Sequence, residues 1–121
     1  MSKSVLTVDD SPSIRRMIAM TLQEAGYAVT EAVDGQDGLN KALAQPFDAI
    51  ITDQNMPNMD GLSFIRALRT HPQGKGVPVV VLSTESEEGL KQQAREAGAL
   101  GWMVKPFTQD KLLAVIKKVV G

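Results

Sequence analysis

Ser4-Val5-Leu6-Thr7-Val8-Asp9-Asp10-Ser11-Pro12 opens the chain's organisation. Residues 5–8 form a short, nearly continuous apolar run, as expected of a strand covered on both faces. Two acids end the run. Ser11-Pro12 then has the chemistry of a helix cap followed by proline in the first turn. A buried strand that gives way to a helix within a few residues is the first half of a repeating βα pattern.

The same alternation continues outward from there. Further apolar runs lie at 28–32, 49–52, 77–82 and 100–104. Segments of helical period separate them: 12–25 (Ile14, Met17, Ile18, Thr21, Leu22 and Ala25 on one stripe), 36–44 (Leu39, Ala42, Leu43) and 62–69 (Leu62, Ile65, Leu68). Residues 85–97 are polar for their length, with Leu90, Ala94 and Ala97 expected to face inward. Residues 109–120 end the pattern on Leu112, Leu113, Ile116, Val119 and Val120. Thr84 and Glu87 have capping-box spacing, and Gly26, Gly98 and Gly121 each follow a helical run. Five βα units imply an α/β fold, a parallel sheet with helices on both faces and right-handed crossovers. Periodicity leaves the strand order open.

Composition narrows the function. The chain has 121 residues, 43% of them hydrophobic and 22% charged, enough for the core of one domain over residues 1–121. Thirteen Lys and Arg against fourteen Asp and Glu give a net charge of -1, which offers no general attraction to nucleic acid. Without cysteine there is no disulfide framework and no thiolate metal site. No apolar stretch approaches the roughly 20 residues of a membrane span. A soluble cytoplasmic domain is expected.

In an open parallel sheet, ligands bind beyond the carboxyl ends of the strands. Asp9 and Asp10 follow the first strand and Asp53 the third; Ser83 and Thr84 follow the fourth and Lys105 the fifth. Taken singly, each has an ordinary explanation. Asp9 or Asp10 could cap a helix, Asp53 could open an Asx-turn, and Lys105-Pro106 could be a rim charge before a turn. Together they occupy one edge. Three carboxylates within about 5 Å repel by about 3 kcal/mol per pair at an effective dielectric near 20. Lys105 is expected to neutralise one of them. With no Cys, and with His71 expected near the end of the third helix, an all-oxygen site for Mg²⁺ or Mn²⁺ answers the remaining charge. A GxGxxG after the first strand, a P-loop around Gly74-Lys75-Gly76 and a G-x-S-x-G are all absent.

Four motifs in order carry a family resemblance across essentially the whole chain. They are Val8-Asp9-Asp10-Ser11; Thr52-Asp53-Gln54-Asn55-Met56-Pro57 with Met59-Asp60-Gly61; Leu82-Ser83-Thr84-Glu85; and Gly101-Trp102-Met103-Val104-Lys105-Pro106-Phe107. The chain resembles the bacterial response-regulator receiver domains, and among them the stand-alone CheY-type chemotaxis regulators. The resemblance implies the flavodoxin-like (βα)5 receiver fold with strand order 2-1-3-4-5, an order for which the family is a standard example. It implies that Asp53 accepts a phosphoryl group from a histidine kinase. Asp10, Asp53 and the main-chain carbonyl of Asn55 would ligate Mg²⁺, with Asp9 acting mainly through water. Lys105 would pair with a phosphoryl oxygen, and Lys105-Pro106 is expected to be cis. Ser83 falls on the Thr/Ser switch position, Trp102 on a switch position where Tyr or Phe is common, and Asn55 and Glu85 on positions that tune loss of the phosphoryl group.

Output is expected through the fourth helix, fifth strand and fifth helix, where Glu87, Lys91, Gln92, Arg95, Trp102, Lys111, Lys117 and Lys118 fall. The family implies a chemotaxis histidine kinase and a flagellar motor switch protein as partners of a monomer, without nucleic acid or membrane. Self-phosphorylation and autodephosphorylation are expected, rather than turnover of an external substrate. A phosphate sink or relay in a non-flagellar pathway, and a phosphorylation-independent adaptor, are the alternatives.

Overall fold

The computed structural model describes residues 3–84 and 88–120. Strands and helices alternate throughout: β1 (Ser4–Val8), α1 (Pro12–Glu24), β2 (Ala28–Ala32), α2 (Gly35–Ala44), β3 (Ala49–Asp53), α3 (Gly61–Arg69), β4 (Val79–Ser83), α4 (Glu88–Ala97), β5 (Gly101–Val104) and α5 (Gln109–Val120). A 3-10 turn, Pro72–Gly74, lies between α3 and β4. All strand pairs are parallel, and the order is β2-β1-β3-β4-β5, as the resemblance implied.

Because successive strand residues point to opposite faces, the sheet feeds two cores. Leu6, Val8, Ile50, Val79 and Val81 pack with Ala42, Phe64, Ile65, Leu68 and Ala94 from α2, α3 and α4. Val5, Ile51, Val80, Leu82 and Met103 pack with Ile18, Leu22, Leu112 and Ile116 from α1 and α5. Truncating fully buried Phe64 to alanine would cost about 3–5 kcal/mol.

Local chemistry sets the boundaries. The Ser11 side chain accepts from the Ile14 amide with Pro12 in the first turn, so α1 begins where expected. Asp34 and Asp60 cap α2 and α3 in the same way, through the Asp37 and Ser63 amides. Gly26 and Gly98 take positive φ (98° and 107°) behind α1 and α4, a conformation in which a Cβ is strained. β4 begins two residues later than its apolar run. Pro78 has no N–H to donate and contributes only its carbonyl, which accepts from Ile50. Asp53 and Ser83 are the last residues of their strands rather than the first beyond them. The Thr84–Glu87 capping pair and the Gly121 cap each include a residue outside the described ones, as do the first residues expected of α4.

Candidate phosphoacceptor and metal site

The βα junctions after β1, β3 and β5 deliver the parts of the site at the carboxyl edge. β1 runs into Asp9, whose amide donates to the Ala32 carbonyl of the neighbouring strand at 3.1 Å. The turn into α1 then bends the Asp9 carboxylate back, and its Oδ1 accepts from the Ser11 amide at 2.9 Å. Asp9 is 1% exposed, whereas Asp10 is open to solvent. β3 ends on Asp53, 7% exposed, whose Oδ1 accepts from the Gln54 amide at 3.0 Å. One carboxylate oxygen from each of Asp9, Asp10 and Asp53 falls within 4.8 Å of the others. The expected crowding of acids is therefore present.

Lys105 reaches into this crowd from the end of β5, its backbone held by an amide hydrogen bond to the Ser83 carbonyl. The Nζ lies 3.0 Å from Asp53 Oδ1 and 3.4 Å from Asp9 Oδ2. Lys105 thus serves two acids, not one, because both carboxylates converge on a single ammonium with several N–H donors. Lys105-Pro106 is cis. Burial pushes the Asp53 carboxyl above the usual carboxylate range; the Lys105 hydrogen bond opposes that rise, and the charge of Asp9 adds to it.

The loop after β3 is fastened at several points. Gln54 is buried, and its side-chain oxygen accepts from the Leu62 amide at 3.0 Å. The Gly61 amide donates to the Gln54 carbonyl at 2.9 Å. A Cβ on Gly61 would stand 2.6 Å from the Asp53 carbonyl oxygen, so the helix can approach this closely only with glycine there. Asn58 adopts a positive φ of 69° and donates to Asp34 at 3.2 Å. Asn55 is exposed at the mouth of this loop.

Residues 5–117 match the response regulator receiver domain family. The chain is a response regulator receiver domain. This receiver domain is 37% identical over 118 residues to a probable chemotaxis protein CheY of Rhizobium etli, covering 97% of this chain and 92% of that one. It superposes on the chemotaxis protein CheY4 of Vibrio cholerae with a TM-score of 0.95 at 46% identity, covering 98% and 99% of the two chains. It also superposes on the receiver domain of the sensor histidine kinase PA1611 from Pseudomonas aeruginosa with a TM-score of 0.92 at 30% identity, covering 100% and 99%. That neighbour carries a magnesium ion coordinated in its active site cleft. The receiver domain is accordingly a CheY-like phosphorylation switch of two-component signalling.

The remaining expected residues that the structure describes lie on β4, α4, β5 and α5. Ser83 is fully buried at the end of β4, beside the acids in sequence register: Leu82 pairs with Asp53 and Ser83 with Val104. Trp102 is half-buried on β5 and packs against the α2–α3–α4 core. With Lys91, Arg95 and Leu100 it lines a hollow of about 280 Å³ between α4 and β5. Lys111 is exposed on α5. Glu85 and Glu87 lie outside the described residues. A second hollow, of about 240 Å³ and largely apolar, opens beside Lys105 among Ile14, Met17, Thr84, Pro106 and Phe107. Among the described residues, no helix is long and apolar enough to cross a membrane.

Sequence reading missed Gln54 and Arg15. Gln54 stands inside the second motif, yet a glutamine after a strand gives no sign that it will be buried. Arg15 lies four residues inside α1, where a basic residue reads as an exposed helix position. Its guanidinium instead donates to the Asp9 carbonyl at 2.8 Å.

Proposed function

We propose that this receiver domain, working as one unit over residues 1–121, accepts a phosphoryl group from a histidine kinase onto Asp53 in a Mg²⁺-dependent reaction. The observation that carries the reading is the convergence of Asp9, Asp10 and Asp53, with Lys105 set between two of them. Three hard carboxylate oxygens with one ammonium leave uncompensated negative charge, and the donor set contains neither thiolate nor imidazole. The chemistry fits Mg²⁺. Asp10, Asp53 and the Asn55 carbonyl would hold the ion, with Asp9 supporting through water. When bound, Mg²⁺ would neutralise phosphoryl charge and orient the phosphoryl group.

In the transfer itself, a carboxylate oxygen of Asp53 attacks phosphorus. The P–O bond forms as the P–N bond to the kinase histidine breaks, and the imidazole leaves with the bonding pair. Lys105, already within reach of Asp53, pairs with a phosphoryl oxygen. The Ser83 hydroxyl donates to another, drawing the β4–α4 loop inward. By the family resemblance, Asn55 and Glu85 occupy sequence positions that tune the later loss of the phosphoryl group to water.

The resulting shift in the α4–β5–α5 surface, with Lys91, Arg95, Trp102 and Lys111, controls a flagellar motor switch protein by direct contact of a cytoplasmic monomer. Moving such an equilibrium from 1:99 to 99:1 needs about 5.5 kcal/mol of differential stabilisation. The test is a binding assay of motor switch protein and kinase against the unphosphorylated, phosphorylated and Asp53→Ala forms. Motor-protein binding that rises on phosphorylation and is lost in Asp53→Ala supports the reading. Kinase-driven labelling with equal motor-protein binding in all three forms would point to a phosphate sink instead.

A further inference from the structure

Behind the acids lies a charged assembly with no part in the reaction described above. Arg15 projects from the first turns of α1 toward the sheet. Its Nη1 donates to the main-chain carbonyl of Asp9 at 2.8 Å, and its Nε stands 3.1 Å from Glu31 Oε1 at the end of β2. Both side chains are largely covered, at 15% and 30% exposure. Glu31 is held in turn, because Lys41 of α2 donates to its carbonyl at 2.6 Å while pairing with Asp37 at 3.2 Å.

The carbonyl that Arg15 grips belongs to the peptide unit joining Asp9 to Asp10. Turning that peptide changes ψ of Asp9 and φ of Asp10 together, and so changes the separation of the two carboxylates. Asp9 is fixed at its front by Ser11 and Lys105. Asp10 is exposed, so its direction is inherited from this peptide. The guanidinium holds the carbonyl and the Glu31 carboxylate through a rigid planar fork that fixes the direction of both contacts, whereas the donors of an ammonium rotate on a flexible stem.

We infer that Arg15, oriented by Glu31, is a positioning residue that sets the Asp9–Asp10 peptide and thereby the divalent-cation affinity of the acid site. The inference rests on the Mg²⁺ reading given above. It differs from a plain structural tie between α1 and β2, which would support folding and leave metal affinity alone.

The test is calorimetric titration of the full chain with Mg²⁺ alone, paired with urea unfolding in EDTA. Arg15→Met is expected to weaken Mg²⁺ binding about tenfold or more, the size typical of partners that orient metal ligands. Arg15→Lys, which keeps the charge without the fork, is expected to weaken it by several-fold and serves if the methionine variant does not fold. Glu31→Gln keeps an acceptor for Nε and should stay within about threefold of the parent. Arg69→Met provides the control. It removes a comparably covered arginine, whose guanidinium bonds the Gly98 carbonyl at 2.6 Å far from the acids. It should lose stability and keep Mg²⁺ affinity. Parent-like Mg²⁺ affinity in a folded Arg15→Met or Arg15→Lys would overturn the inference while the metal site stands. Failure of the parent to bind Mg²⁺ more tightly than Asp10→Asn would overturn both.

Discussion

The Lys105 ammonium lies 3.0 Å from Asp53 Oδ1, close enough for a charge-assisted hydrogen bond, while remaining 3.4 Å from Asp9. One cation therefore faces two acids that are almost entirely removed from water. Taking it away leaves each acid only its backbone amide donor, with no cation, in a place where uncompensated charge is costly. Lys105→Met is expected to lose about 2–3 kcal/mol in EDTA, less than for a fully buried pair because Lys105 keeps some solvent contact. Urea unfolding measures the loss. Phosphorylation should fall as well, since the phosphoryl group would lack its ammonium.

Asp37 gives a pH dependence that can be read apart from the acid site. Its carboxyl is held below the usual range chiefly by the hydrogen bond from the Val33 amide, with Lys41 and Arg15 adding attraction and burial opposing. A depressed folded value means that the stabilisation is complete above the unfolded pKa of about 3.9 and is lost as pH falls through the folded value. Asp37→Asn should be less stable than the parent by about 0.5–1 kcal/mol at pH 7. That gap should close in acid, as unfolding curves at a series of pH values would record.

Gly61 lets α3 press against the end of β3. In Gly61→Ala the new methyl must displace the Asp53 carbonyl or the Gln54 side chain, both within 3 Å of its place. A cost of about 1–3 kcal/mol is expected. Because the displaced backbone carries Asp53, the rate of phosphorylation by a small phosphodonor should drop further than the unfolding midpoint alone would explain.

On the proposed reading, Trp102 belongs to output and not to chemistry. It stands at the α4–β5 hollow and not among the acids. Trp102→Ala should leave the phosphorylation rate near the parent value. Binding of the phosphorylated form to its output partner should weaken by about 2 kcal/mol or more, as for a buried aromatic anchor. Surface plasmon resonance on the phosphorylated protein distinguishes the two effects.

Much of this arrangement was legible from residue types alone. Continuous Val and Ile runs ending in acids located the strands and their functional edge, since buried parallel strands need apolar side chains on both faces. Parallel βα units then brought Asp9, Asp10, Asp53 and Lys105 to one rim without further information. Strand order was not legible from periodicity, because any order buries the same faces; it came from the family motifs. The start of β4 was misjudged because apolarity says nothing of the N–H that Pro78 lacks. Gln54 and Arg15 escaped for a related reason. Their polar atoms are satisfied by backbone groups of other elements, and that is decided by tertiary approach rather than by spacing in the chain.

Locating the phosphoryl group tests the account most directly. After incubation with acetyl phosphate and Mg²⁺, borohydride reduction converts an aspartyl phosphate to homoserine, which peptide mass spectrometry places in the chain. Homoserine at position 53, abolished by EDTA and absent from Asp53→Ala, is the expected result. Homoserine at another aspartate, or equal conversion at position 53 without any divalent cation, would contradict it.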